Sequence, residues 1–485
     1  MITLRSAAFA ALFLASATCC LPAQFLERTI PVTDNDPLSA DHPFGIALDP
    51  TGTSAYVTLC GDPTTSNFSA WNNNNVVKVD IWSGTQTAIG VTGLFPEDAC
   101  VVKDSTGGAR NIYVADSTSG TVTCLTPSLA PVATITLTPC FGGTFFSVFP
   151  FGLISSPDGN RVFVTTSGGC GTIDVIDSNP QSATFNTVVG SFTVPDSGGR
   201  PAWLSYPNLL LPIATFDTNF TTARAGFAIV DVTNPANQTA HLISSTPLPF
   251  QYHFATEVVP LSTGRLLVTI GGEVIPTFYE CLPNGTVTRT VSLNTLTGIN
   301  LHGLAVDPEQ RIAVLTSISG SDTIYVDLAT FTVAGSFDHG GISKPNDVIF
   351  SPDGSRAFVS MQGLAQVDVI SHLPGYSLAL DVPATVATGT TLNIGLRRCE
   401  SGQPWALFAS AAGGGPLIVS GFTVFLTAPF YEVASGIGAT DGTGGVAFAI
   451  PSGPVFSGLT AYFQMVTVDR DAVIRLSNGA STSIF

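Results

Sequence analysis

Apolar and polar positions alternate along most of this chain, in short runs separated by turn residues. The stretch HPFGIALDPTGTSAYVT, from His42 to Thr58, sets the pattern: an apolar run, an Asp-Pro turn, and a second run rich in β-branched and aromatic residues. The phrase returns as FPFGLISSPDGNRVFVT (Phe149 to Thr165), LHGLAVDPEQRIAVLT (Leu301 to Thr316) and KPNDVIFSPDGSRAFVS (Lys344 to Ser360), seven times in all. Turn residues between two such runs predict a β-hairpin. A hairpin repeated about every 40–50 residues predicts propeller blades.

Aligned on their turns, the blades start near Pro43, Pro96, Pro150, Pro201, His253, Leu301 and Pro345. A third alternating strand follows each hairpin, as in VVKVDIWSG (Val76 to Gly84) and AQVDVIS (Ala365 to Ser371), and an outer strand such as ATITLT (Ala133 to Thr138) completes four. The last blade, Lys344 to Leu373, has three strands and would leave an open edge, which a closed ring does not tolerate. FLERTIPV (Phe25 to Val32) has strand character and is predicted to fill that edge. From Tyr376 the repeat stops, and short alternating runs between Gly- and Pro-rich turns read as a β-sandwich. The expectation is an all-β chain: a seven-bladed β-propeller over 24–373, closed by its N-terminal strand, then a β-sandwich over 374–485.

Composition narrows the partners. Charged residues are only 11% of the chain, and 17 Lys plus Arg against 34 Asp plus Glu leave a formal charge of −17. Such a surface repels phosphate backbones, so nucleic acid is excluded as a natural partner, as is anionic lipid. Neutral glycans, peptides, other proteins and cations remain. Residues 1–23 fit a secretory signal: Arg5 is followed by an apolar stretch from Ala7 to Ala17 too short to span a bilayer. Cleavage after Ala17 or Ala23 suits the small residues there, and Cys19 and Cys20 raise lipid modification as a variant. No later run predicts a membrane span. The expected location is secreted, periplasmic or cell-surface.

Export bears on the seven remaining cysteines, because an oxidising compartment favours disulfides. The blade scheme brings Cys140 near Cys170 and Cys60 near Cys100. Buried free thiols are the equal alternative for each.

The Pro-x-Gly, Pro-Asp-Gly and aromatic-Val-(Thr/Ser/Ala) pattern resembles the YVTN family of β-propeller repeats, especially in FVTTSGGCGTIDVIDS (Phe163 to Ser178) and AFVSMQGLAQVDVIS (Ala357 to Ser371). The resemblance implies a secreted or surface-associated bacterial repeat protein without a defined activity. The final stretch, AYFQMVTVDRDAVIRLSNGASTSIF, is similar to terminal β-domains of exported planctomycete proteins.

Two sets of residues carry candidate chemistry. The first strands of a propeller begin at the mouth of its central channel, where ligands commonly sit. Glu97, Asp98, His302, Asn346 and Asp347 fall at those starts. Carboxylate and amide oxygens converging on one axis suit a divalent cation such as calcium. The Pro-Asn-Asp at Pro345 to Asp347 also resembles a metal-site element of gluconolactonase-like propellers, which implies a metal-dependent lactonase-like hydrolase or lyase as the alternative function. The second set is aromatic: Phe68 and Trp71 in NFSAWNNNN, and Phe141, Phe145 and Phe146 in FGGTFFSVFPFG. Aromatics among neutral amides suit a glycan or peptide surface; wedging between blades is the structural alternative. No Gly-x-Ser-x-Gly elbow, His-Glu-x-x-His, phosphate loop or EF-hand occurs. The leading expectation is therefore a non-catalytic binding or surface-scaffold protein.

Overall fold

The computed structural model describes residues 25–485 apart from 37–40, 62–72, 140–147, 168–170, 195–198, 217–221, 244–247, 250–254, 272, 274, 294–300, 342, 372–377, 412, 420–421, 427–430, 453–456, 469–473 and 478–479. The described residues are all-β, with strands, turns and bends and no helix. They divide into two compact units, one of Leu26–Ile349 with Ala357–Ile370, the other containing Phe350–Arg356 and Ser371–Phe485.

The first unit is built of antiparallel sheets in chain order. The opening sheet runs Pro43–Leu48, Ser54–Leu59, Asn75–Asp80, Thr85–Val91, each strand paired with the next. The same order repeats in sheets that begin at Pro96–Lys103, Phe149–Ser155, Ala202–Ser205, Ala255–Pro260 and Leu301–Val306; the one from Ala202 also carries the short strand Leu248–Pro249. A further sheet joins the two ends of the unit, in the order Phe25–Pro31, Gln366–Ser371, Ala357–Met361, Pro345–Phe350. These repeated four-stranded sheets are the arrangement of a β-propeller.

Sequence sets which strand goes inside. Second strands such as SAYVTL (Ser54–Leu59) and IAVLTS (Ile312–Ser317) are buried at every position. They read as continuous β-rich runs because both faces are covered. Fourth strands such as TQTAIGV (Thr85–Val91) are mostly exposed or half-buried. Alternate residues of the opening sheet pack in opposite directions. Tyr56 and Val76 meet Ala99 and Ile112 of the following sheet, whereas Val57 and Val77 meet Ile30, Phe358 and Val367 of the sheet that unites the chain ends. The last sheet therefore packs on the first.

Turns follow an Asx scheme. In the Ser156–Arg161 turn, Asp158 accepts from Ser156 Oγ at 2.5 Å and Asn160 N at 3.1 Å, and Gly159 takes φ 69°, a conformation glycine adopts without strain.

Of the two alternatives for Cys60 and Cys100, the structure has free buried thiols and not the pairing. Cys100 lies beside Tyr113 and Cys124 of its own sheet, in the core packed against the next one, and Cys60 is buried just beyond the second strand of the opening sheet. The two do not form a disulfide, because the Cys100 side chain is committed to the inter-sheet core. Cys140 and Cys170 lie outside the described residues, as does the 1–23 segment.

The second unit contains a sheet ordered Ala379–Asp381, Thr391–Arg397, Gly444–Ala449 and a larger one ordered Thr385–Val386, Ala480–Ile484, Thr460–Val468, Pro404–Ser410, Tyr431–Ile437. Leu392, Ile394 and Leu396 of the first share a core with Trp405, Leu407, Phe463 and Met465 of the second. Within this unit Arg356 is buried and donates from Nη1 to Glu400 Oε1 at 2.9 Å.

Candidate functional site

The starts of the first strands share one irregularity. Register slips between Pro96 and Asp98, Pro150 and Gly152, and Ala255 and Glu257, and at the equivalent places between Pro43 and Ile46 and between Leu301 and Leu304. A β-bulge sets two residues against one and re-aims their side chains. Neighbours in sequence can then face one space, although a regular strand would send them to opposite sides. Glu97 and Asp98 do so; Asn346 and Asp347 reach the same space, and Phe44, Gly45, Phe151, Arg200, Glu257 and His302 complete the lining of a cavity of about 20 Å³. That is room for roughly one water molecule.

The carboxylates at this place tie sheets together. Asp98 Oδ2 accepts from Leu153 N at 2.9 Å, Glu257 Oε2 from Leu304 N at 3.0 Å, and Asp347 Oδ2 from Ile46 N at 2.8 Å. Each bond reaches the start of the next sheet. Hydroxyls repeat the link: Thr58 Oγ1 donates to Glu97 O at 3.2 Å, Thr165 Oγ1 to Gly199 O at 3.2 Å, and Ser360 Oγ to Phe44 O at 2.6 Å. The approach is close enough that glycine is required beside it. A Cβ on Gly45 would lie 2.3 Å from Glu97 O, and one on Gly303 2.5 Å from Asn346 O.

Arg200 occupies the centre. Its Nε and Nη2 donate to Asp98 Oδ1 at 3.0 and 2.7 Å, and its Nη1 and Nη2 donate to Asp347 Oδ1 and Oδ2 at 3.1 and 2.5 Å. Glu257 Oε1 stands 3.7 Å from Nη1. One planar guanidinium thus joins two carboxylates with directed bonds and faces a third, a task its fork of five donors suits.

Burial and charge pull against each other here. Burial would lower the Arg200 pKa, but Asp347, Asp98 and Glu257 hold it well above its ordinary value. Asp98 is pushed up by burial even though Arg200 opposes the shift. The two directions disagree about the ion pair, and the geometry decides for the ionised form, since both Asp98 oxygens already accept N–H donors. Glu97 is pushed well up by burial, with Ser117 opposing and Asp98 adding to the rise. Burial lowers His302 to about 4, so its imidazole is neutral at physiological pH.

The sequence-predicted residues Glu97, Asp98, His302, Asn346 and Asp347 are all brought to this one cavity. The guanidinium of Arg200 stands where the carboxylates converge and supplies positive charge itself. Among the described residues, no group of three or more His, Cys, Asp and Glu side chains is arranged to hold a metal ion. The aromatic residues Phe68, Trp71, Phe141, Phe145 and Phe146 lie outside the described residues.

Arg200 and Glu257 are the site residues the repeat alignment misses. That alignment sets Pro201 and His253 in the column of Pro43. The structure instead matches Arg200 and Glu257 to Gly45: a Cβ on Gly152 would meet Arg200 Cα at 2.8 Å as one on Gly45 meets Asp98 Cα at 3.1 Å, and Glu257 N bonds Thr269 Oγ1 as Gly45 N bonds Thr58 Oγ1. Gly198-Gly199 before Arg200 was the available signal.

No family model and no curated relative matches the chain. Among solved structures it is similar to a chain of hydrazine synthase from Kuenenia stuttgartiensis, at 18% identity and a TM-score of 0.54, over 70% of this chain and 99% of that one. It also matches the β-propeller domain of Cps50 (Swd1) from Myceliophteria thermophila at 8% identity and a TM-score of 0.48, over 72% of this chain and 100% of that one. The first likeness carries the propeller fold and nothing of chemistry.

Proposed function

We propose that this chain is an exported seven-bladed YVTN-type β-propeller, closed by its N-terminal strand and followed by a β-sandwich, that works as a non-catalytic binding or surface-scaffold protein. Its ligand is a glycan, peptide or protein met in the periplasm, at the cell surface or outside the cell. The packing of the last sheet on the first supports seven blades. The observation that carries the functional reading is the use made of the axial carboxylates. Asp98 and Asp347 are spent on Arg200 and on backbone amides, and a cavity of about 20 Å³ is far smaller than a lactone substrate needs.

The test pairs binding with turnover. Purified protein applied to glycan and peptide arrays is expected to give saturable, sequence- or sugar-selective binding. The same preparation with calcium is expected to leave simple lactones unhydrolysed. Calcium-dependent hydrolysis that disappears in Asp98→Asn would replace this reading with the lactonase-like one.

A further inference from the structure

We propose that the axial cavity recognises a single primary ammonium group, supplied by a small amine or by a lysine side chain. This rests on the binding-protein reading above and names the chemistry one of its surfaces selects.

Two acceptors point to it. Glu97 Oε2 and Asn346 Oδ1 are buried and accept no hydrogen bond from the described residues, and both residues line the cavity. Glu97 is 7% exposed and Asn346 0%. Buried oxygens left without donors are costly, so each wants an N–H or O–H. Glu257 Oε1 adds a third acceptor, since Arg200 Nη1 stands off at 3.7 Å. An ammonium head carries three donors and no acceptor, and matches three oxygens.

Charge favours a cation over a neutral donor. Glu97, Asp98, Glu257 and Asp347 face one arginine in this lining, so carboxylates exceed guanidinium by three. Unless a proton or a cation enters, the excess is buried uncompensated; burial drives Glu97 toward its protonated form and pushes Glu257 up to about 8, so an ammonium group binds by displacing those protons. A calcium-type ion would need six to eight oxygens, whereas those of Asp98 and Asp347 are already engaged. The size of the cavity, about that of one water, admits –NH₃⁺ and excludes a quaternary head. Phe44, packed edge-on to His302 at 5.7 Å, adds to the lining an aromatic ring, a group of the kind that attracts cations. The Arg200 side chain, part of the same lining, is 28% exposed.

Thermal unfolding and calorimetric titration of the full chain test this, using methylammonium, sodium, tetramethylammonium and calcium chlorides at equal ionic strength. Methylammonium is expected to give a saturable rise in Tm and measurable heat, with sodium and tetramethylammonium giving neither. Glu97→Gln should weaken methylammonium at least tenfold; Asn346→Ala should do the same if the first variant folds poorly. A short lysine-bearing peptide that binds more tightly than methylammonium assigns the source to a polypeptide; a peptide that fails to compete assigns it to a small amine. Equal shifts with every salt, a shift with calcium alone, or no response to methylammonium would each overturn the proposal. Such a failure leaves array binding intact, whereas calcium-dependent lactone turnover lost in Asp98→Asn would overturn both readings, since Asp98 lines this cavity.

Discussion

Arg200 keeps apart from water two aspartates that would repel each other without it. Replacing it with methionine retains much of the volume but leaves Asp98 and Asp347 buried and unpaired, which should cost about 3–5 kcal/mol in urea unfolding. Arg200→Lys should recover only part, because a point charge cannot make the bidentate contacts. Asp116 offers a different test. Burial raises its carboxyl to about 6 while Thr123 and Thr121 donate to Oδ2 and oppose the rise. A raised acid binds its proton more tightly folded than unfolded. Its contribution is greatest below about pH 3.8 and is lost as pH climbs toward 6, at no more than about 1.4 kcal/mol per unit. Asp116→Asn should flatten that part of the stability–pH curve; an unchanged slope would show that the proton is not held there.

Single strands carry more than single contacts. In Phe25–Pro31 and the residue after it, Ile30 and Val32 are buried against Ile46, Val57 and Phe358, Val32 N donates to Ala365 O at 3.1 Å, and Thr29 Oγ1 donates to Asp368 Oδ1 at 3.1 Å. Asp368 continues inward, with Oδ2 2.6 Å from His339 Nδ1, whose Nε2 is 2.7 Å from Thr323 Oγ1. Removing residues 25–32 exposes one edge of that sheet and opens the apolar core behind it. The shortened protein is expected to melt about 5 °C lower, which a loss of a few kcal/mol produces at roughly 1.4 °C per kcal/mol in a domain this large. An unchanged Tm would show that the strand is dispensable.

At the scale of the molecule, what could be read from the chain was what repeats. Hairpin phrases announce strands because a turn such as Pro157-Asp158-Gly159 has few other conformations and the β-branched runs on either side have few other uses. Glu97, Asp98, His302, Asn346 and Asp347 could be brought to one place because equivalent residues of equivalent strands converge. The bulges could not be seen, since one extra residue leaves no mark on composition, and the columns of Arg200 and Glu257 are missed because the Pro201 and His253 starts lack the hairpin phrase that fixes the others. Charge type has a similar limit: the three acids Glu97, Asp98 and Asp347 near an axis suggest a cation without saying that the chain sets a guanidinium among them. For Cys100 the sequence leaves disulfide and buried thiol open, because it gives a thiol's position on a strand and not the neighbour it faces.

The partnership of Thr29 with Asp368 spans 339 positions. A chain delivered from its N-terminus keeps its first strand single until Gln366 has been made, and so large a loop closes slowly. The junction is therefore made last. Until the intervening sheets have formed and stacked to bring the two ends within reach, the edge of Gln366–Ser371 stays unclasped.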